Sequence, residues 1–132
     1  AMTICQQPEI LILDEPTTYL DISFQVEVLE LIRLLNRQLG ITIIMVLHDI
    51  NMAARYSDTL CAIKNCNICA RGCPREIITE ENLQQIFEIQ AVVFEDNSNN
   101  CPHFIPLKTT FHNKGGKDEK INGSAVVRDN VV

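Results

Sequence analysis

At 132 residues the chain has room for one domain at most, or for part of one. Its 46% hydrophobic and 21% charged content is that of a soluble globular protein; its longest strongly apolar run, residues 41–47, is too short to cross a bilayer, and no secretory leader pattern opens it. A net charge of −6, with five Phe, two Tyr and no Trp, argues against a nucleic-acid partner, and six cysteines fall short of a disulfide scaffold, so free thiols in a reducing compartment are expected.

The elements follow in order. Ile10-Leu11-Ile12-Leu13 is a continuous apolar run closed by two carboxylates, Asp14 and Glu15, which predicts a strand buried on both faces. Asp21 is placed to cap a helix over residues 22–39, with Val28, Leu31, Leu34 and Leu35 along its apolar stripe and Gly40 just past its end. Residues 41–47 form a second buried strand, and Asp49 caps a short helix running to Tyr56. Strand, helix, strand, helix is the signature of an α/β fold with a doubly wound parallel sheet. Beyond it, residues 59–64 and 67–71 predict a hairpin across Asn65-Cys66, Thr79 caps a helix over 80–87, and residues 91–95 read as a late strand.

Charge divides the chain. Residues 1–107 hold 6 basic and 14 acidic side chains and make one unit; residues 108–132 hold 5 and 3 and read as a polar, flexible tail. Neither His103 nor His112, near that end, acquires a role.

Polar residues punctuate the ends of both buried strands: Asp14-Glu15 after the first, His48-Asp49 after the second. Ligands of open α/β sheets sit beyond the carboxyl ends of the strands. Two carboxylates ending an apolar strand call for a cation, and hydrated Mg²⁺ is the hard, oxygen-seeking one that fits. One carboxylate then holds the metal while the other orients an attacking water, and a His on the neighbouring strand end reaches a transferring phosphoryl group.

The segment Ile10-Leu11-Ile12-Leu13-Asp14-Glu15-Pro16-Thr17-Thr18-Tyr19-Leu20-Asp21 resembles the Walker B and D-loop region of ATP-binding-cassette (ABC) ATPases, and Val46-Leu47-His48-Asp49 resembles their H-loop. The resemblance runs from Ala1 to about Leu107. It implies a partial P-loop NTPase sheet with flanking helices and a C-terminal hairpin-helix-strand region. It makes Asp14 the carboxylate that holds Mg²⁺ through water, Glu15 the general base or water-orienting group, and His48 the switch histidine at the γ-phosphate of ATP. Asp21 becomes the D-loop residue facing a second ATPase subunit. His48-Asp49-Ile50-Asn51-Met52-Ala53-Ala54-Arg55-Tyr56-Ser57-Asp58, Thr79-Glu80-Glu81-Asn82-Leu83 and Cys101-Pro102-His103-Phe104-Ile105-Pro106-Leu107 are similar to the ATPases of ferric-siderophore, haem and cobalamin importers. Those are cytoplasmic subunits, peripheral to the inner face of the cell membrane, that dimerise beneath a membrane permease.

The sequence contains no Gly-x-x-x-x-Gly-Lys-Ser/Thr and no Leu-Ser-Gly-Gly-Gln, so it reads as the C-terminal half of such a cassette, inactive by itself because nothing in it cradles the phosphates. Two other readings compete: a non-hydrolytic dimerisation remnant, and a Cys-rich metal module. In the second, Cys66, Cys69 and Cys73, with Cys61 or Cys101 as a fourth thiolate, resemble part of a cluster or zinc ligand run. Gly72 is the expected site of a bulge there, and Cys5 reads as a small buried residue.

Overall fold

The computed structural model describes residues 9–96 and 101–110, and the backbone of 124–126. Strand β1 (Ile10–Asp14) runs parallel to β2 (Thr42–Leu47), Ile10 opposite Thr42 and Asp14 opposite Val46. Helix α1 (Ile22–Leu39) joins them. It starts where Asp21 accepts a hydrogen bond from the Phe24 N–H at 3.1 Å, and it stops at Gly40. There φ is +63°, a left-handed turn that glycine adopts without a Cβ penalty, and the Gly40 N–H returns to Asn36 O at 2.9 Å.

The burial of β1 departs from the expectation of a strand covered on both faces. Leu11 is buried, whereas Ile10 and Ile12 are 57% and 70% exposed. Side chains alternate across a strand, and among the described residues the helices cover one face only. That covered face carries the core: Leu11, Ile43, Met45 and Leu47 from the strands meet Leu29 and Ile32 of α1. One polar group shares this layer. Asn36, 1% exposed, donates through Nδ2 to Ile41 O at 2.7 Å and ties α1 to the entrance of β2.

Helix α2 (Ile50–Tyr56) follows, capped by Asp49, which accepts from the Met52 N–H at 3.0 Å. Ala53, Ala54 and Tyr56 join the core, and the Tyr56 hydroxyl donates to Glu30 of α1 at 3.0 Å. Burial, then the Glu30 carboxylate, pushes the Tyr56 phenol above its ordinary value.

Strands β3 (Leu60–Lys64) and β4 (Asn67–Gly72) form the expected hairpin. Both turn residues are left-handed, Asn65 at φ 51° and Cys66 at φ 59°, the geometry that matches the twist of flanking strands. An L-residue pays for that conformation and glycine does not. The left-handed penalty is about 1–2 kcal/mol and the unfolded-chain entropy of glycine about 0.5–1 kcal/mol, so Cys66→Gly should stabilise the chain by roughly 0.5–1 kcal/mol in urea denaturation. An unchanged or lower midpoint would show that the turn is unstrained. The bulge falls three positions before the glycine expected to carry it: Ala62 faces Ala70 and Ile63 faces Ile68, which leaves Cys69 as the extra residue. Gly72 is instead a close approach, because a Cβ there would collide with the Glu76 carboxylate. That carboxylate curls back to accept from the Cys73 N–H at 2.8 Å.

Helix α3 (Pro74–Ile77) is a single turn that the sequence did not announce. Helix α4 (Glu80–Phe87) begins at Thr79 as expected, its Oγ1 accepting from the Asn82 N–H at 3.2 Å. The late strand is longer than expected and has a partner. Strand β5 (Ile89–Asp96) pairs antiparallel with β6 (Cys101–Thr109) in a separate two-stranded sheet. Pro102 and Pro106 hid β6 in the sequence, but a two-stranded sheet has only edge strands, where prolines are tolerated. His103 lies on β6, its ring stacked on Phe94 with centroids 5.5 Å apart.

Strand β7 (Ser124–Val126) inserts between β2 and β3, antiparallel to both, and gives the order β1-β2-β7-β3-β4. The main sheet is therefore mixed, with β1–β2 its one parallel pair among the described residues, rather than parallel throughout. The expected boundary after Leu107 falls inside β6. Most of the expected tail, with His112, lies outside the described residues, as does Cys5. No helix among the described residues is long and apolar enough to cross a membrane.

Candidate active site

The parallel register of β1 and β2 builds the site. Asp14 is opposite Val46, so one further residue on β1 and two on β2 bring Glu15 and His48 together at the carboxyl ends of the strands. There His48 Nε2 lies 2.5 Å from Glu15 Oε1. The second carboxylate oxygen, Oε2, accepts from Thr18 Oγ1 at 3.0 Å. Glu15 sits at φ 47°, a left-handed conformation that costs a side-chain-bearing residue on the order of 1–3 kcal/mol. The turn that holds it there is closed by the Thr18 N–H donating to Glu15 O at 3.2 Å. The strain lifts the carboxylate off the strand direction and aims it at the neighbouring strand end.

Electrostatics follow from these contacts. The hydrogen bond from His48, then that from Thr18, holds the Glu15 carboxyl below its ordinary value of 4.5. A carboxylate lowered in this way stabilises the fold above its unfolded pKa, and that contribution disappears as pH falls through the lower folded value. His48→Ala should therefore raise the pH midpoint of the Glu15 carboxyl titration, followed by ¹³C NMR, toward its ordinary value. A titration unmoved by the substitution would remove His48 as the main cause.

Of the residues singled out in the sequence, Glu15 and His48 meet directly. Asp14 is exposed at the end of β1, on the same face as Ile10 and Ile12. Asp21 is engaged elsewhere, as the cap of α1. It accepts from the Phe24 N–H and from Ser23 Oγ at 2.8 Å, and those bonds, the Phe24 one first, hold its carboxyl low. Thr18 was missed as a partner of Glu15; the signal was its spacing of three residues, which a tight turn closes. Asp14 and Glu15 offer adjacent hard oxygens at a strand end, a set that suits a hydrated Mg²⁺ with one or two protein carboxylates better than an all-protein cage. Among the described residues no group of three or more His, Cys, Asp or Glu side chains is placed to hold a metal ion, and Cys66, Cys69 and Cys73 are exposed thiols.

No protein-family model matches the chain. The chain is 47% identical over 116 residues to the petrobactin import ATP-binding protein FpuC of Bacillus anthracis, an alignment covering 88% of this chain and 41% of that protein. It is 43% identical over 110 residues to the ferric enterobactin transport ATP-binding protein FepC of Escherichia coli, covering 83% and 41%. With the iron(3+)-hydroxamate import ATP-binding protein FhuC of Bacillus subtilis it shares 44% over 102 residues, covering 77% and 38%. The chain belongs to the ABC transporter ATP-binding proteins. Among solved structures, a metal-chelate type ABC transporter in an inward-facing conformation matches with a TM-score of 0.65 at 26% identity, over 80% of this chain and 43% of that one. The ABC fold is thus present in part, and the chain spans about two fifths of the length of the curated relatives it matches.

Proposed function

We propose that this chain supplies the Walker B, D-loop and switch-histidine portion of an ABC importer ATPase, which couples ATP hydrolysis to uptake of a ferric siderophore or similar metal chelate. The Glu15–His48 pair at the strand ends carries the reading. The substrate class is supported by the relatives, whose names specify petrobactin, ferric enterobactin and iron(3+)-hydroxamate.

In this reading Asp14 would hold the Mg²⁺ of MgATP through water, and the metal would neutralise charge on the phosphates. Glu15 orients the attacking water. Its lowered pKa makes it a weak base while His48 and Thr18 occupy its oxygens, so in the resting pair it positions a water better than it deprotonates one. When the His48 ring turns from Glu15 to the γ-phosphate, the carboxylate loses its main hydrogen bond and gains basicity as the phosphate becomes ready to react. One motion thereby couples recognition of the phosphate to activation of the base. Asp21 holds the start of α1 and presents the D-loop to a second ATPase subunit. The partners are that subunit and a membrane permease, and the location is the cytoplasmic face of the cell membrane. The ATPase portion runs through β6 to Thr109, and beyond it residues 124–126 return to the main sheet as β7 between β2 and β3.

Hydrolysis also needs groups that cradle the phosphates, which this sequence does not contain. The 132-residue chain alone should release phosphate from MgATP no faster than buffer. The same chain preceded by the remaining part of a relative such as FepC should turn ATP over at an ordinary transport-ATPase rate. Turnover by the 132 residues alone, abolished in Glu15→Gln, would contradict the division of labour proposed here.

A further inference from the structure

We propose that Asn51 is a positioning residue for His48, and that through it the β5–β6 sheet holds the candidate site in register. Asn51 lies in the first turn of α2, three residues after His48. Its side-chain amide makes two hydrogen bonds to one residue 53 positions away: Nδ2 donates to Phe104 O at 3.1 Å, and Oδ1 accepts from the Phe104 N–H at 2.9 Å. A single amide thus completes both main-chain groups of Phe104, as an adjacent strand would. Only a side chain with a donor and an acceptor in a fixed fork does this; Asp lacks the donor, and an apolar residue lacks both.

The consequence runs through the backbone. The His48 side chain is 50% exposed, so little packing fixes the ring, and its placement depends on the turn that carries it. That turn is held on one side by β2 and on the other by the start of α2. Helix α2 has seven residues, too few to be rigid without tertiary anchors. Its anchors are the buried Ala53, Ala54 and Tyr56 toward its end and the Asn51–Phe104 clamp at its beginning. Phe104 is itself buried, and β6 is paired along its length with β5, so the clamp closes on a fixed point. Cutting it releases the turn at the residues that place His48 against Glu15. The importance of this for hydrolysis rests on the role given to His48 above; the placement does not.

The test reads the His48 ring in the 132-residue chain by long-range ¹H–¹⁵N correlation at neutral pH, with Glu15→Ala as the reference for a broken pair. Asn51→Ala should move the His48 ring nitrogens most of the way to their Glu15→Ala positions. Phe104→Leu, which keeps both main-chain groups and only trims the buried ring, should lower the melting temperature and leave the His48 signals in place. Signals unmoved by Asn51→Ala, or moved as far by Phe104→Leu, would overturn the proposal. Should Asn51→Ala not fold, Asn51→Asp, which keeps an acceptor and loses the donor, should give an intermediate shift, and no shift would overturn it. If Asn51→Ala moves His48 while His48→Ala leaves hydrolysis intact in the joined chain, the positioning stands and the hydrolytic role of His48 falls.

Discussion

Glu15→Gln, in a chain joined to the preceding part of a relative, is expected to lower ATP turnover by about 10²–10⁴-fold, the scale of a lost general base. Gln has nearly the shape of Glu: its one amide oxygen can still accept from His48, while its NH2 meets the Thr18 hydroxyl, which can turn to accept, so both contacts that define the side chain's position are kept with one reversed. What it loses is the charge and the ability to take a proton. The loss should therefore appear in kcat measured by phosphate release, with nucleotide affinity nearly unchanged, since the proposed role of Glu15 is to orient water rather than to bind the phosphates. A variant with weakened ATP binding and normal kcat would make Glu15 a binding residue and leave hydrolysis without its base.

His48→Ala in the same joined chain should cost about 10²–10³-fold in kcat, the magnitude for one preorganised donor at developing charge. Two effects oppose each other here. The γ-phosphate loses a hydrogen-bond donor, which slows reaction; Glu15 loses the bond that most lowers its pKa, which makes it a better base. The first dominates because a mispositioned phosphate gives the base nothing to act on. Asn or Gln at position 48, able to donate but not to become charged, should recover part of the rate. Failure of both to recover any would mean that the charge of the ring, rather than its hydrogen bond, carries the effect.

The legible parts of the fold were those written in local chemistry. Asp21 and Gly40 bracket α1, Asp49 and Thr79 begin α2 and α4, and Asn65-Cys66 turns the hairpin, each through contacts within five residues. Glu15 and His48 were legible because they end adjacent strands, so the register alone brings them together. What escaped depended on distant partners. The exposure of Ile10 and Ile12 depends on which face the helices take, and an apolar run is silent about that. Strand β6 was hidden by Pro102 and Pro106, and β7 is only three residues long, with pairings on β2 and β3 more than 60 positions away. The Asn51–Phe104 clamp joins two segments that nothing in either one's own sequence pairs.

In the proposed mechanism Glu15 and His48 act as one unit, and a double-mutant cycle on ATP turnover of the joined chain measures that directly. Glu15→Gln, His48→Ala and the double variant would be compared with the parent in single-turnover hydrolysis. Residues that act together give non-additive losses. The double variant should be no slower than the slower single one; losses that multiply would show two independent side chains and overturn the coupling.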